Sequence, residues 1–318
     1  MRPHLVAETA LPGSSDVTHL DRVGWLATHP ADATVTLLDE RLRVTARLPV
    51  PTGGAAFEAS VNERYVAVVS LDQLAVLDRQ GRPLWRQEQS IEAIGLPCAP
   101  SCFLDTRDVL WVYLPEGDDL LAVDAATGDE IDRTRLPSEL GAGYFRPHPD
   151  RSRLGLHVPM GQDGSYSFLA RLDDGRIDCR TLAGECLVGF TSTGERYLSM
   201  PHVDGEIGIH DVATGAVLVA CAAARIPGYD TGSVHILLEA AALVSDEHVV
   251  VGVNTDQFET DAEEHLLLST RDLGHLATLD YGQPMTQYSI RAAGGRGRWL
   301  TTGHDDDAVR LWELPPTR

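Results

Sequence analysis

Thr301-Thr302-Gly303-His304-Asp305-Asp306-Asp307-Ala308-Val309-Arg310-Leu311-Trp312-Glu313-Leu314, near the end of the chain, sets out the repeating unit of the fold. A β-prone run reaches Gly303, an acidic break follows, and a second apolar run from Ala308 to Trp312 closes on an acid. Short β-branched and aromatic runs broken by Gly, Asp and Asn read as strand, turn, strand. The same ending recurs backward along the chain. It stands at Leu268 to Asp272, Gly208-Ile209-His210-Asp211, Ala170-Arg171-Leu172-Asp173, Leu121-Ala122-Val123-Asp124, Ala75-Val76-Leu77-Asp78 and Thr36-Leu37-Leu38-Asp39. Most spacings are about 38 to 49 residues, the length of a four-stranded propeller blade. The gap before Asp272 is about sixty, its excess falling in Ala222 to Val234 and Asn254 to Glu264.

Each unit reads as four short strands, a to d. In the second unit they are Phe57–Val61, Tyr65–Ser70, Gln73–Asp78 and Pro83–Glu88, with turns at Asn62-Glu63-Arg64, Leu71-Asp72 and Arg79-Gln80-Gly81. Helical periodicity is nearly absent, and Ile236 to Val244 falls where a strand is expected. The 301–314 stretch resembles the second half of a WD repeat, and Gly205 to Gly215 is similar to it. Val123-Asp124-Ala125-Ala126-Thr127-Gly128 and Leu77 to Trp85 resemble blades of the quinoprotein-like propellers. The Gly-His dipeptide that opens many WD repeats is missing from those places; Gly303-His304 lies between strands b and c instead. The resemblance implies an all-β, seven-bladed propeller of four-stranded blades over residues 1–318. Its blades are expected at about 16–50, 57–88, 101–137, 141–182, 187–224, 235–280 and 285–314.

The seventh unit runs out after strand c. A bare strand edge invites aggregation, and His4 to Leu11 is apolar and β-compatible. Residues 1–15 are therefore expected to supply strand d of the last blade, protecting its edge.

Net charge is −21. Such a chain repels phosphate backbones and anionic lipid surfaces, which argues against nucleic acid and membrane as partners. The N-terminus has no apolar segment of the signal-peptide kind, and no apolar stretch reaches membrane-spanning length. A cytoplasmic monomer is expected. All 26 basic residues are arginine, a composition that fits a GC-rich bacterial genome. Cys98, Cys102, Cys179, Cys186 and Cys221 have neither an even count nor zinc-site spacing, so reduced thiols are expected.

In a WD-like blade the b–c and d–a loops emerge at one end and the a–b and c–d turns at the other. The b–c positions carry Asp32, Asp72, Glu116, Asp118, Asp119, Asp163, Asp204, Asp256, Glu259, Asp261, Glu263, Glu264, Asp305, Asp306 and Asp307, and no arginine. The opposite turns carry Arg41, Arg64, Arg79, Arg82, Arg107, Arg151, Arg153, Arg176, Arg196, Arg296 and Arg298. Aspartate in a turn often only caps it, but Asn254 to His265 is far more acidic than a hairpin requires. Carboxylates within a Debye length of about 8 Å add their fields. The expected function is non-enzymatic: a scaffold whose acidic b–c face docks a protein partner through a basic segment. Asp118, Asp204, Asp256, Glu259, Asp261, Glu263, Glu264, Asp305, Asp306 and Asp307 would form that face. Ile94 and Tyr229, from the less polar d–a segments Ile91 to Pro100 and Arg225 to Ser233, would anchor it.

The alternative is a divalent-metal-dependent hydrolase or lyase at the channel mouth. His202, His265 and His304 are its candidate ligands, since imidazole with carboxylate suits a divalent cation. No HExxH, Gly-x-Ser-x-Gly or phosphate-cradling glycine loop occurs, and Asp256 to Glu264 lacks the glycine and ligand order of a calcium hand. No cofactor follows from the sequence beyond that cation.

Overall fold

The computed structural model describes the chain except residues 15, 21, 53–56, 90–99, 139–140, 161–163, 202–204, 223–224, 230–233, 256–263, 284–287, 304–306 and 317–318. At 234–240, 254–255, 288–289 and 303 it describes the backbone alone. It divides into two compact units, residues 13–182 and residues 1–12 with 183–318. Among the described residues there are 28 strands, one 3₁₀ turn at Pro30–Asp32, and no helix long and apolar enough to cross a membrane.

The 13–182 unit holds four antiparallel sheets, each of four strands in chain order. They are β2 (Asp16–Leu20), β3 (Gly24–His29), β4 (Thr34–Leu38) and β5 (Val44–Pro49); then β6 (Phe57–Val61), β7 (Tyr65–Ser70), β8 (Gln73–Asp78) and β9 (Pro83–Glu88). The third is β10 (Ser101–Leu104), β11 (Val109–Leu114), β12 (Asp119–Asp124) and β13 (Glu130–Arg135). The fourth is β14 (Tyr144–Pro147), β15 (Arg153–Pro159), β16 (Ser165–Asp173) and β17 (Arg176–Thr181). The second sheet matches the sequence expectation residue for residue.

The unit of residues 1–12 and 183–318 holds three blades. β18 (Cys186–Phe190), β19 (Arg196–Met200), β20 (Glu206–Asp211) and β21 (Val217–Ala222) form one; β22 (Val234–Ser245), β23 (His248–Thr255), β24 (Glu264–Ser269) and β25 (His275–Thr278) form the next. The last is β26 (Tyr288–Ala292), β27 (Arg298–Gly303), β28 (Ala308–Glu313) and, from the other end of the chain, β1 (His4–Ala10). β1 lies antiparallel on β28 from His4↔Glu313 to Ala10↔Ala308, so the N-terminal strand completes the blade as expected. Seven four-stranded antiparallel blades with almost no helix make this an all-β seven-bladed β-propeller.

The burial gradient within a blade explains its sequence pattern. Strand b is covered on both faces, so β7 reads Tyr-Val-Ala-Val-Val-Ser, buried throughout. Strand d is the sheet edge, so β13 reads Glu-Ile-Asp-Arg-Thr-Arg with alternating exposure. The cores form where one blade's face meets the next. Ala67, Val69, Leu74 and Val76 pack with Leu110, Val112 and Val123, and Ala242, Val244 and Leu267 pack with Ile290, Trp299 and Trp312.

The repeated aspartate at the end of strand c is a turn cap. Asp39 Oδ1 accepts the amides of Arg41 (2.9 Å) and Arg43 (3.0 Å), and Asp78 Oδ1 those of Gln80 (2.9 Å) and Arg82 (3.0 Å). Asp124 takes those of Ala126 and Thr127, Asp211 that of Thr214, and Asp272 that of Gly274. Asp39 and Asp78 also pair with the Arg43 and Arg82 guanidiniums. The fourth blade turns differently: Asp173 pairs with Arg176 across Asp174-Gly175, both at positive φ (45° and 75°), the two-residue hairpin that suits Asp-Gly.

These caps make stability acid-sensitive. Burial works to raise the Asp39 carboxyl, but the hydrogen bonds from Arg43 and Arg41 outweigh it and hold it below the usual value. The Arg82 amide, against slight burial and with its guanidinium, lowers Asp78, and the Gly274 amide lowers Asp272. A carboxyl with a depressed folded pKa binds more protons unfolded. Its contribution is therefore present above the unfolded pKa of about 4 and is lost as pH falls through the lower folded value. The melting temperature should decline as pH drops from about 5 toward 3. An Asp39/Asp78/Asp272→Asn variant, followed by thermal scans across that range, should show a shallower decline.

Candidate functional site

The strand order fixes which segments join which strands; the acids assigned to b–c segments fall between strands b and c, except Asp119 and Glu264, which open β12 and β24. Where those segments are described, many of their carboxylates are already committed. Asp118 is buried, at 5% exposure. It accepts the Tyr113 and Ser138 hydroxyls, each at 2.9 Å, and its carbonyl takes the Leu136 amide. It therefore ties the turn Pro115 to Asp118 to the chain leaving β13 rather than presenting a charge to solvent. Asp119 pairs with Arg133 on the next strand at 3.1 Å, and Asp72 accepts the Ser70 hydroxyl within its own turn. Asp307 is exposed, while its carbonyl receives the Leu11 amide at 2.7 Å, fixing the end of β1.

Blade six brings two predicted residues together. The Tyr229 hydroxyl donates to Glu264 Oε2 at 2.5 Å, and its ring meets His275 edge-on at 5.2 Å. The segment around it is pinned from below: Ile226 is buried, and Pro227 accepts the His275 amide at 2.7 Å. Tyr229 itself is half-buried, with its hydroxyl at the acidic end of the blade.

His265, the one described candidate metal ligand, is 1% exposed. Its Nδ1 meets the Tyr281 hydroxyl at 2.8 Å, and that hydroxyl also accepts Trp299 Nε1 at 3.1 Å. The Tyr281 ring lies edge-on to Trp312 at 4.7 Å, and Trp312 Nε1 donates to Thr301 at 2.9 Å. The network joins blade six to blade seven. Similar pairs recur inside single blades: Thr36 with His29 (3.0 Å), Ser167 with His157 (3.4 Å) and Ser199 with His210 (2.7 Å). Burial pushes His210 toward its neutral form. Among the described residues no three His, Cys, Asp or Glu gather as a metal-binding group. Ile94, His202, Asp204, Asp256, Glu259, Asp261, Glu263, His304, Asp305 and Asp306 lie outside the described residues.

The described cysteines, Cys102, Cys179, Cys186 and Cys221, are free thiols. Burial raises Cys102 well above its usual value, burial and Asp178 push Cys179 up to about 12, and burial with Glu206 puts Cys221 at about 11. A thiol so raised is a poor nucleophile.

One hollow was not foreseen from the sequence. About 240 Å³ lies beside β1 and β28, lined by Arg2, Glu8, Tyr281, Gln283, Arg310 and Trp312 among others. Arg310 is 8% exposed and pairs with Glu8 at 3.3 Å, and Arg2 pairs with Asp280 at 2.8 Å. The hollow is smaller than the roughly 300–1,000 Å³ usual for ligand pockets, and both arginines are already neutralised.

Against known proteins, no family model and no curated sequence matches the chain. Solved structures do. The β-propeller domain of Cps50 (Swd1) from Myceliophteria thermophila superposes with a TM-score of 0.63 at 13% identity, covering 97% of this chain and 100% of that one. Hydrazine synthase of Kuenenia stuttgartiensis gives 0.63 at 13%, covering 96% and 97%. Virginiamycin B lyase of Staphylococcus aureus gives 0.57 at 13%, covering 97% and 98%. Likeness at this identity carries the propeller fold alone, and the two enzymes among these neighbours show that one scaffold serves unlike functions.

Proposed function

We propose that this propeller is a non-enzymatic docking module whose acidic b–c segments receive a basic segment of a protein partner. The observation that carries the reading is the charge sorting under the observed strand order. The seven segments joining strands b and c hold Asp or Glu in every blade and arginine in none. The a–b and c–d turns hold Arg41, Arg43, Arg64, Arg79, Arg82, Arg107, Arg151, Arg271 and Arg296, several of them paired with nearby carboxylates: Arg43 with Asp39, Arg82 with Asp78, Arg107 with Asp105 and Arg64 with Asp108. Those four cations are thus neutralised locally, while the acids of 256–263 and 304–307 have no arginine in their own segments. Asp118 takes no part in docking on this reading; its carboxylate is consumed by the turn. Tyr229 and Glu264 lie where an apolar anchor beside a charged rim would help.

A labelled arginine-rich peptide titrated by fluorescence anisotropy tests the proposal. Binding should weaken steeply between about 50 and 300 mM salt, and Asp305/Asp306/Asp307→Asn should weaken it about tenfold at low salt. Binding unchanged in the triple variant would remove the basis for the reading.

A further inference from the structure

The outer strands of the blades share an irregularity. In the first blade Leu37 pairs with Ala46 and Leu38 with Val44, so Thr45 is skipped. The same one-residue bulge skips Leu84 on β9, Ile131 on β13, Leu218 on β21 and Leu276 on β25. In each it falls opposite the two residues before the turn position held by Asp39, Asp78, Asp124, Asp211 or Ser269. The c–d turn alone does not impose it. β1 reaches β28 from the other end of the chain, with no turn between them, and its pairing skips Val6 opposite Leu311 and Trp312, the two residues before Glu313.

The fourth blade lacks the bulge. β17 pairs with β16 without a break from Arg176↔Asp173 to Thr181↔Phe168. It carries alternating charges instead, Arg176, Asp178 and Arg180, and the Asp132 carboxylate of β13 accepts its Ile177 amide at 2.6 Å. β21 is the reverse case. Val217-Leu218-Val219-Ala220-Cys221-Ala222 ends its sheet with no charged residue, and only its far end is tied, by the Arg225 amide on the Ala222 carbonyl at 2.9 Å. β25 is also uncharged, but it is four residues long and its ends are occupied by the Met1 amine on the Thr278 carbonyl and by the His275 amide on Pro227. An extra residue bends and twists a strand, and an edge that is bent or charged is a poor template for another strand. Leu84, Ile131, Leu218 and Leu276 are all exposed apolar residues, so what protects the edge at the bulge is the backbone and not the side chain.

We infer that the bulge is a built-in guard against strand addition, that edge charge can stand in for it, and that β21 depends on it where β17 depends on charge. The other bulged strands carry both: β5 has Arg47, β9 Arg86 and Glu88, β13 four charged residues and β1 Glu8. The guard is a property of the outer edges and stands apart from docking at the b–c segments.

Deleting Leu218 keeps the residue pairs of β21 and removes its bulge. The mean mass of this variant in sedimentation should rise at least about twofold over that of the unaltered protein at the same concentration, and adding Ala220→Lys should bring it back. Deleting Ile131 from β13, which keeps its four charged residues, should leave the mass unchanged, as should Leu218→Ser, which keeps the bulge. A Leu218 deletion that is folded by circular dichroism and unchanged in mass would overturn the inference. So would equal association of the two deletions, or association that Ala220→Lys does not reverse. Should the Leu218 deletion not fold, Asp132/Arg176/Asp178/Arg180→Ala decides alone. It strips β17 of its charges and of the Asp132 contact, deletes no residue and removes two charges of each sign. It should associate, and an unchanged mass would overturn the inference.

Discussion

Deleting Met1–Ala10 should lower the melting temperature by roughly 10 °C or more and drive the purified protein into aggregates. β1 makes six residue pairs with β28; at about 0.2–1 kcal/mol per pair these come to a few kcal/mol, and each kcal/mol moves the melting point by a few degrees. Two further losses add to this. Arg310, 8% exposed, loses its ion pair with Glu8, and breaking an ion pair at a nearly buried charge is costly. β28 becomes a bare edge carrying Val309, Leu311 and Trp312. Scanning fluorimetry with light scattering reads both effects, and a synthetic peptide of residues 1–12 added in trans should recover part of the melting point. A truncated protein that stays monodisperse and melts within about 2 °C of the full chain would show that β1 does not hold the last blade.

Trp299→Ala should cost about 3–5 kcal/mol, enough to threaten folding at physiological temperature. Trp299 is fully buried between blades six and seven, packed with Val244, Leu267, Ile290 and Trp312. Its removal opens a cavity and takes a donor from the Tyr281 hydroxyl, which also meets His265. Trp299→Phe keeps most of the volume and loses the hydrogen bond, so it should cost nearer 1 kcal/mol. Denaturant unfolding of the pair separates packing from hydrogen bonding. Equal costs for the two variants would place the energy in the hydrogen bond and not in the fill.

These two predictions concern parts of the fold that the sequence exposed to different degrees. The need for a closing strand was legible because a unit lacking its strand d leaves an edge, and His4 to Ala10 has the composition to cover it. Blade two was legible to the residue because Asn62, Asp72 and Gly81 punctuate runs of uniform length. The Trp299–Tyr281–His265 network was not. Its members come from two blades and the connection between them, and no periodicity relates residue 265 to residue 281. Asp118 fails in the same way: its partner Ser138 lies beyond the next strand, so a carboxylate that looked like surface charge is an internal acceptor. The aspartate ending strand c was visible as a repeat, but its role as a cap depends on amides two to four residues ahead in a turn whose shape the sequence does not state.

The docking claim is tested most directly by comparing two charge-matched triple variants for binding of the same arginine-rich peptide at low salt. One is Asp305/Asp306/Asp307→Asn, at a b–c segment. The other is Glu63/Glu195/Glu247→Gln, at exposed positions in a–b turns. Both reduce the net charge by three, so a long-range field alone would weaken binding equally in the two. A loss of about tenfold in the first with a change within about twofold in the second is the predicted result. Equal losses in both would contradict a docking end and reduce the attraction to overall charge.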